Sequence, residues 1–247
     1  MSAPLNAFCL MPDNNAAHLD FMTGVLGLRV KRAEESFLAF DTSGVGVCLW
    51  ESGHVCGQLG YRTNTVADCA ATAILTLEMP GETAVTQAVA AARLMGLATL
   101  VEAGGVLLRD RASTWWRLRA GAGHAVRAVE LLVEDVDVTT RFLAGMGFAA
   151  AAGGFAAGNG VAISVRGRAD FAPEAPWLGR RPNGPIAMPA IGCATLGEVN
   201  ARVAAIAAHG IGIDVAARMH PWGFRAAYLT DPSHNVWEIY TTERTDV

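Results

Sequence analysis

The chain has 247 residues, enough for one or two domains of the usual size, roughly 100–200 residues each. Hydrophobic residues make up 52% and charged residues 17%, so each half has apolar material for a core and a disordered chain is excluded. A net charge of −4, with Lys31 the one lysine, leaves no basic face of the kind that nucleic acid selects, and a small molecule becomes the expected partner.

The five cysteines, Cys9, Cys48, Cys56, Cys69 and Cys193, are odd in number and lack CxxC spacing. That argues against a disulfide scaffold or a zinc ribbon and for a reducing cytoplasm. The first residues reach Pro12 and Asp13 without a basic run, unlike a signal peptide. No apolar stretch approaches the roughly 20 residues that cross a bilayer, so no membrane partner is expected.

In chain order, Leu5–Pro12 reads as a short apolar strand, and Asp13, Asn14 and Asn15 offer oxygens to cap a helix running to Leu26. Gly27 stops that helix, and strands follow at 37–40 and 45–50. A second β-α-β-β-β unit starts at Ala73, has an Ala-rich helix over 83–95 and closes with strands near 106–109 and 114–119. A third starts at Ala128, with Asp135 or Asp137 capping a helix that ends near Gly145. The fourth starts near Ala190 and has its helix over 199–209. Two long connections, 51–71 and 169–185, are rich in Pro, Gly or polar residues and read as loops that either cover a site or merely join units.

The halves repeat each other. Asp110 stands before Trp116 as Asp231 stands before Trp237, Arg117 falls where the second copy has Glu238, and the helix end Phe21-Met-Thr-Gly-Val-Leu-Gly-Leu28 has its counterpart at Phe142-Leu-Ala-Gly-Met-Gly-Phe148. The chain therefore reads as a tandem duplication with halves 1–122 and 123–247.

These repeated units, that helix end, and the closing stretch Trp222-Gly-Phe-Arg-x-x-Tyr-x-x-Asp-Pro-x-x-Asn-x-Trp-Glu238 resemble the vicinal oxygen chelate superfamily, which includes glyoxalase I, bleomycin resistance proteins and extradiol dioxygenases. The resemblance implies an α+β fold of four βαβββ units forming two cupped mixed β-sheet domains with helices outside. In metal-dependent members it also implies an iron, manganese, nickel or zinc ion, held in the cup by His or Glu from first strands and Glu from last strands. Glu238 matches one last-strand carboxylate. The matching first-strand positions are Ala7, the span 73–76, Ala128 and Ala190 or Ile191, and the other last-strand positions read as Cys48 and Ser164. One good ligand is not a metal site, so no cofactor is expected; the divalent metal is the alternative.

Strand alternation puts Val236, Glu238 and Tyr240 on one face of the last strand, and Trp115, Arg117 and Arg119 on the matching face of the first half. Opposing walls come from Gly46, Cys48 and Trp50, and from Ala162, Ser164 and Arg166. If each half closes its own cup, one cup is aromatic and cationic and the other mixes an acid, a phenol and a guanidinium; if unit one faces unit four instead, Cys48 and Glu238 share a site. Trp116 and Trp237 read as core. Arg117 is divided between anion binding and a plain ion pair, and Glu238 between chemistry and a relic tied to Arg166 or Arg225. His220, in a hairpin beside Trp222, is the candidate general base, set against a solvated loop residue. His234 reads as a turn residue.

The candidate catalytic pair is thus Glu238 and His220. The candidate ligand-binding residues are Cys48, Trp50, Trp115, Arg117, Arg119, Ser164, Arg166, Trp222 and Tyr240. The leading expectation is a metal-free protein, monomer or homodimer, that binds an aromatic or amphipathic small molecule. The competing one is a metal-dependent lyase, isomerase or extradiol-type dioxygenase that uses Glu238.

Overall fold

A computed structural model describes residues 2–63, 69–102, 104–180 and 184–243, leaving the middles of the two long connections, 64–68 and 181–183, outside the described residues. Unit one comprises β1 (Ala7–Leu10), α1 (Asn15–Asp20) prolonged by a π-helical turn over Phe21–Val25, β2 (Val30–Glu34), β3 (Phe37–Phe40), β4 (Ser43–Gly44), β5 (Gly46–Trp50) and a trailing α2 (Ser52–Leu59). Unit two has β6 (Ala73–Pro80), α3 (Gly81–Leu94), β7 (Thr99–Glu102), β8 (Gly105–Arg109) and β9 (Trp115–Gly121). Unit three has β10 (Ala125–Val133), α4 (Val136–Gly145), β11 (Ala149–Ala151), β12 (Gly154–Ala156) and β13 (Ala162–Gly167), followed by short 3-10 helices Arg168–Asp170 and Ala172–Trp177. Unit four has β14 (Ala187–Gly192), α5 (Leu196–Ala208), β15 (Val215–Met219), β16 (Arg225–Thr230) and β17 (Val236–Thr241).

Local chemistry sets the helix starts. The side chains of Asn14, Asp135 and Thr195 accept hydrogen bonds from the backbone N–H groups of Ala16, Val138 and Glu198, satisfying donors that an α-helix leaves open at its first turn. No helix among the described residues is long and apolar enough to cross a membrane.

The units pair across the halves. One sheet runs β15-β16-β17-β14-β1-β5-β3-β2, joining unit one to unit four, and the other runs β11-β12-β13-β10-β6-β9-β8-β7, joining units two and three. The antiparallel β1–β14 and β6–β10 seams make each junction. Of the two arrangements that the sequence leaves open, this is the one in which unit one faces unit four. Arg166 leaves the acid and phenol and joins Trp115, Arg117 and Arg119, while Cys48 and Trp50 join Glu238 and Tyr240. Both seams are apolar: Phe8, Leu10, Ala187 and Ile191 are buried against one another's strands, as are Leu75, Leu77, Val126 and Val129.

One apolar core fills the space behind both sheets, with Leu10, Val47, Trp237 and Ile239 from the first and Leu75, Trp116, Leu118 and Val129 from the second. Trp116 and Trp237, core residues as expected, have matching settings. The Trp116 indole N–H donates to Asp110 (2.7 Å) and that of Trp237 to Asp231 (3.1 Å). Each ring removes roughly 150–250 Å² from water, about 4–6 kcal/mol at ~25 cal/mol per Å². Asp231 Oδ1 also accepts from Ser233 N and Asn235 N, closing a turn in which His234 takes φ 68.

A link between the sheets requires glycine. β4 pairs with β10, Ser43 opposite Ala125 and Gly44 opposite Val126. Gly44 has φ +79, and a Cβ there would stand 2.1 Å from the Val126 carbonyl oxygen.

Candidate functional site

The register across the first sheet places Gly46, Ala7, Ala190, Glu238 and Tyr228 in one row over five strands. The matching row of the second sheet is Arg117, Thr76, Ala128 and Ala162. The true counterparts of Glu238 in units one and three are therefore Gly46 and Ala162, and Cys48 and Ser164 lie two residues further along their strands. A cup metal needs about three donors from such a row. The first row supplies the Glu238 carboxylate beside glycine and alanines, and among the described residues no three His, Cys, Asp or Glu side chains converge as a metal site. This donor set does not fit the divalent ion that the sequence resemblance implies for metal-dependent members.

Glu238 is 5% exposed, and Tyr228, directly opposite on β16, donates its hydroxyl to Oε1 at 2.7 Å. Burial pushes the carboxyl up to about 7, with the Tyr228 hydrogen bond opposing the shift. The same burial, reinforced by the Glu238 charge, drives the Tyr228 phenol far upward, so it stays a donor. The pair replaces the arginine partners expected from sequence: Arg166 lies in the other sheet on Glu130, and Arg225 Nε is buried without a hydrogen bond.

His220 is not a solvated loop residue. It is 4% exposed, its ring stacks on Trp222 at 4.6 Å, and it meets Tyr228 edge-on at 5.2 Å. Its Nε2 lies 3.3 Å from the Ala226 carbonyl oxygen, which can only accept, so Nε2 carries the proton. Burial lowers its pKa, and the imidazole is neutral near pH 7.

Trp222 continues this cluster to the mouth of the cup. Trp50 meets it edge-on at 4.8 Å, Phe37 meets Trp50 at 5.5 Å, and Tyr240 stacks on Phe224 at 5.5 Å. Phe37, Trp50, Trp222 and Phe224 border a small pocket of about 70 Å³, with Arg32 and His54 at its rim. The Trp222 indole N–H is buried and approaches the Tyr228 hydroxyl without completing a hydrogen bond. An indole donor left unpaired costs about 1–3 kcal/mol.

The floor of this cup is filled from within. Val55, Cys56 and Leu59 of α2 pack on Cys9, Met11, Met188 and Val236. Cys48, half-buried, stands opposite Cys9 on the neighbouring strand, and both are free thiols. Burial, with a hydrogen bond from the Cys9 thiol to Cys48, pushes the Cys9 thiol well up, which suits an inert core residue.

The second cup is shut by its own connection. Glu174, fully buried, accepts from Trp115 Nε1 (2.6 Å) and Ala71 N (2.5 Å) and lies 3.9 Å from Arg109 Nε. Phe171 meets Trp115 edge-on at 5.5 Å, and the Arg166 guanidinium lies over the Phe171 ring at 5.3 Å. Arg117 pairs with Glu102 (2.5 Å) and Glu130 (3.3 Å), and Arg166 with Glu130 (2.7 Å). Arg119 is exposed and donates to the Gly104 carbonyl; Ser164 is half-buried opposite Glu130.

The structure thus gathers Glu238, His220, Cys48, Trp50, Trp222 and Tyr240 in the first cup, and Trp115, Arg117, Arg119, Ser164 and Arg166 in the second. Sequence reasoning missed Tyr228, Phe37, Phe224 and His54 in the first cup and Glu130 and Glu174 in the second. Tyr228 was legible: the turn at Asp231–Asn235 folds β16 onto β17 and sets it opposite Glu238.

No protein-family model and no curated protein sequence matches the chain. Solved structures do. Glyoxalase I from Zea mays superposes with a TM-score of 0.63 at 14% identity, over 98% of this chain and 93% of that one. A protein from Bacillus subtilis subsp. subtilis str. 168 named "putative dioxygenase" gives 0.62 at 15% identity, over 98% and 86%. The chain has the fold of the vicinal oxygen chelate superfamily.

Proposed function

We propose that this protein binds a small aromatic or amphipathic molecule at the mouth of the first cup, without a metal ion. The observation that carries the reading is the pairing of an aromatic box, with an unpaired indole N–H, above a single carboxyl lacking co-ligands. A planar ligand bearing one acceptor supplies what Trp222 lacks, and its rings replace water against Trp50, Phe37 and Phe224. Ligand pockets run to about 300–1,000 Å³, so entry requires the hairpin carrying His220 and Trp222 to swing outward. A metal-dependent lyase, isomerase or dioxygenase built on Glu238, the use suggested by the names of the fold neighbours, has too few donors in the row beside it. We further read the chain as a duplicated, cytoplasmic monomer or homodimer in which the halves 1–122 and 123–247 exchange units.

Calorimetric titration with quinoline, a flat ring system with one nitrogen acceptor, tests the proposal. Trp222→Ala is expected to weaken binding at least about tenfold, or ~1.4 kcal/mol, and excess chelator to leave it unchanged. Quinoline binding that survives in Trp222→Ala, or that needs added metal, sinks the reading.

A further inference from the structure

The helical side of the molecule carries a groove unrelated to either cup. It has a volume of about 840 Å³ and lies between the end of α4 and one face of α5, with the N-terminal residues Ser2 and Pro4 at its side. Glycines form its floor because other atoms lie close beneath them: a Cβ on Gly158 would stand 2.5 Å from the Ser2 carbonyl oxygen, and one on Gly145 2.8 Å from the Ile211 side chain at Cδ1. Ala201, Ala205 and Ile206 give the α5 wall an apolar strip.

Arg202 sits on that wall. One terminal nitrogen lies 3.3 Å from where a Gly147 Cβ would be, so the guanidinium spreads over the glycine floor. Its Nε is buried and makes no hydrogen bond, and among the described residues Arg202 forms no ion pair. Glu198, one turn earlier on α5, is engaged instead by the Ala194 N–H at 2.8 Å. The Cys193 thiol lies against the guanidinium: burial raises its pKa while Arg202 pulls it down. The arginine fork suits a planar carboxylate, with its two terminal nitrogens donating in parallel.

We propose that this groove is a second ligand site, for a monocarboxylate with a short aliphatic tail, its head on Arg202 and its tail along Ala201, Ala205 and Ile206. The groove falls within the usual range of ligand-site volumes, roughly 300–1,000 Å³, and sets Arg202 in a mainly apolar and glycine-lined channel, with His209 and the Glu198 carboxylate, held by the Ala194 N–H, also in its lining.

Alkylation of Cys193 by iodoacetamide, followed by peptide mass spectrometry with Cys48 as the reporter of the first cup, reads the site directly. Octanoate is expected to slow labelling of Cys193 several-fold and to leave Cys48 unchanged, while inorganic phosphate protects neither. Each variant is compared with its own rate without octanoate. Protection is expected to vanish in Arg202→Gln and in Ala205→Trp, the latter a change at an exposed helix position that fills the groove without touching the core. Absence of protection, equal protection by phosphate, protection of Cys48 alone, or protection that survives in Arg202→Gln overturns the proposal.

Discussion

Replacing Glu174 with alanine is expected to destabilise the protein by about 3–5 kcal/mol, the usual cost of removing one partner from a buried charged pair. The carboxylate is fully buried, accepts from Trp115 Nε1 and Ala71 N, and faces Arg109, itself 7% exposed. Alanine leaves an indole N–H and a backbone N–H without the acceptors they use and takes a counter-charge from the Arg109 guanidinium. Glu174→Gln keeps an oxygen for one donor and removes the charge, so its loss should be smaller than that of alanine. Urea unfolding of the two variants checks the order. A Glu174→Ala protein as stable as the parent would mean that the connection does not seal the second cup.

Glu238→Gln is expected to act in the opposite direction. In the folded chain the carboxyl keeps its proton up to about pH 7, against an ordinary value of 4.5. Folding therefore binds a proton between those values, so the stability is fully present below 4.5, declines as pH rises through about 7, and is level above it. The decline amounts to about 3 kcal/mol at 1.36 kcal/mol per unit. Glutamine still accepts the Tyr228 hydrogen bond and carries no charge. The variant should match the parent near pH 4 and exceed it by about 2–3 kcal/mol near pH 8. Asp110, raised by burial from 3.8 to about 6, gives both proteins a residual slope of the same sign. Chemical denaturation at a series of pH values measures this, and a Glu238→Gln protein less stable than the parent near pH 8 would show that the charge has a partner.

The unit order, the strand alternation and the buried tryptophans were legible because they rest on local rules. Period-two patterning placed Val236, Glu238 and Tyr240 together, and an Asp-Pro turn followed by Trp237 marked the closing hairpin. Which units share a sheet was not legible. The β1 and β6 seams are both short apolar runs, and nothing local distinguishes β14 from β10 as a partner. Only pairing within each half would have put Arg166 in the cup of Glu238. The neutral, stacked state of His220 was hidden for a related reason, since its burial depends on Tyr228 and Trp222 meeting across a sheet edge. The connections misled most: α2 packs against the floor of the first cup, and a Pro-rich stretch supplies Phe171 and Glu174 to the second. A polar or Pro-rich sequence lowers the odds of regular structure, yet leaves single side chains free to lock a cavity.

Glu238 stands in a row with Ala7, Ala190 and Gly46 rather than with metal-binding side chains. Elemental analysis of the purified protein for iron, manganese, nickel and zinc tests this most directly. Sub-stoichiometric metal, identical in the parent and in Glu238→Gln, is the predicted result. One equivalent of any of these ions in the parent, lost in Glu238→Gln, would contradict it.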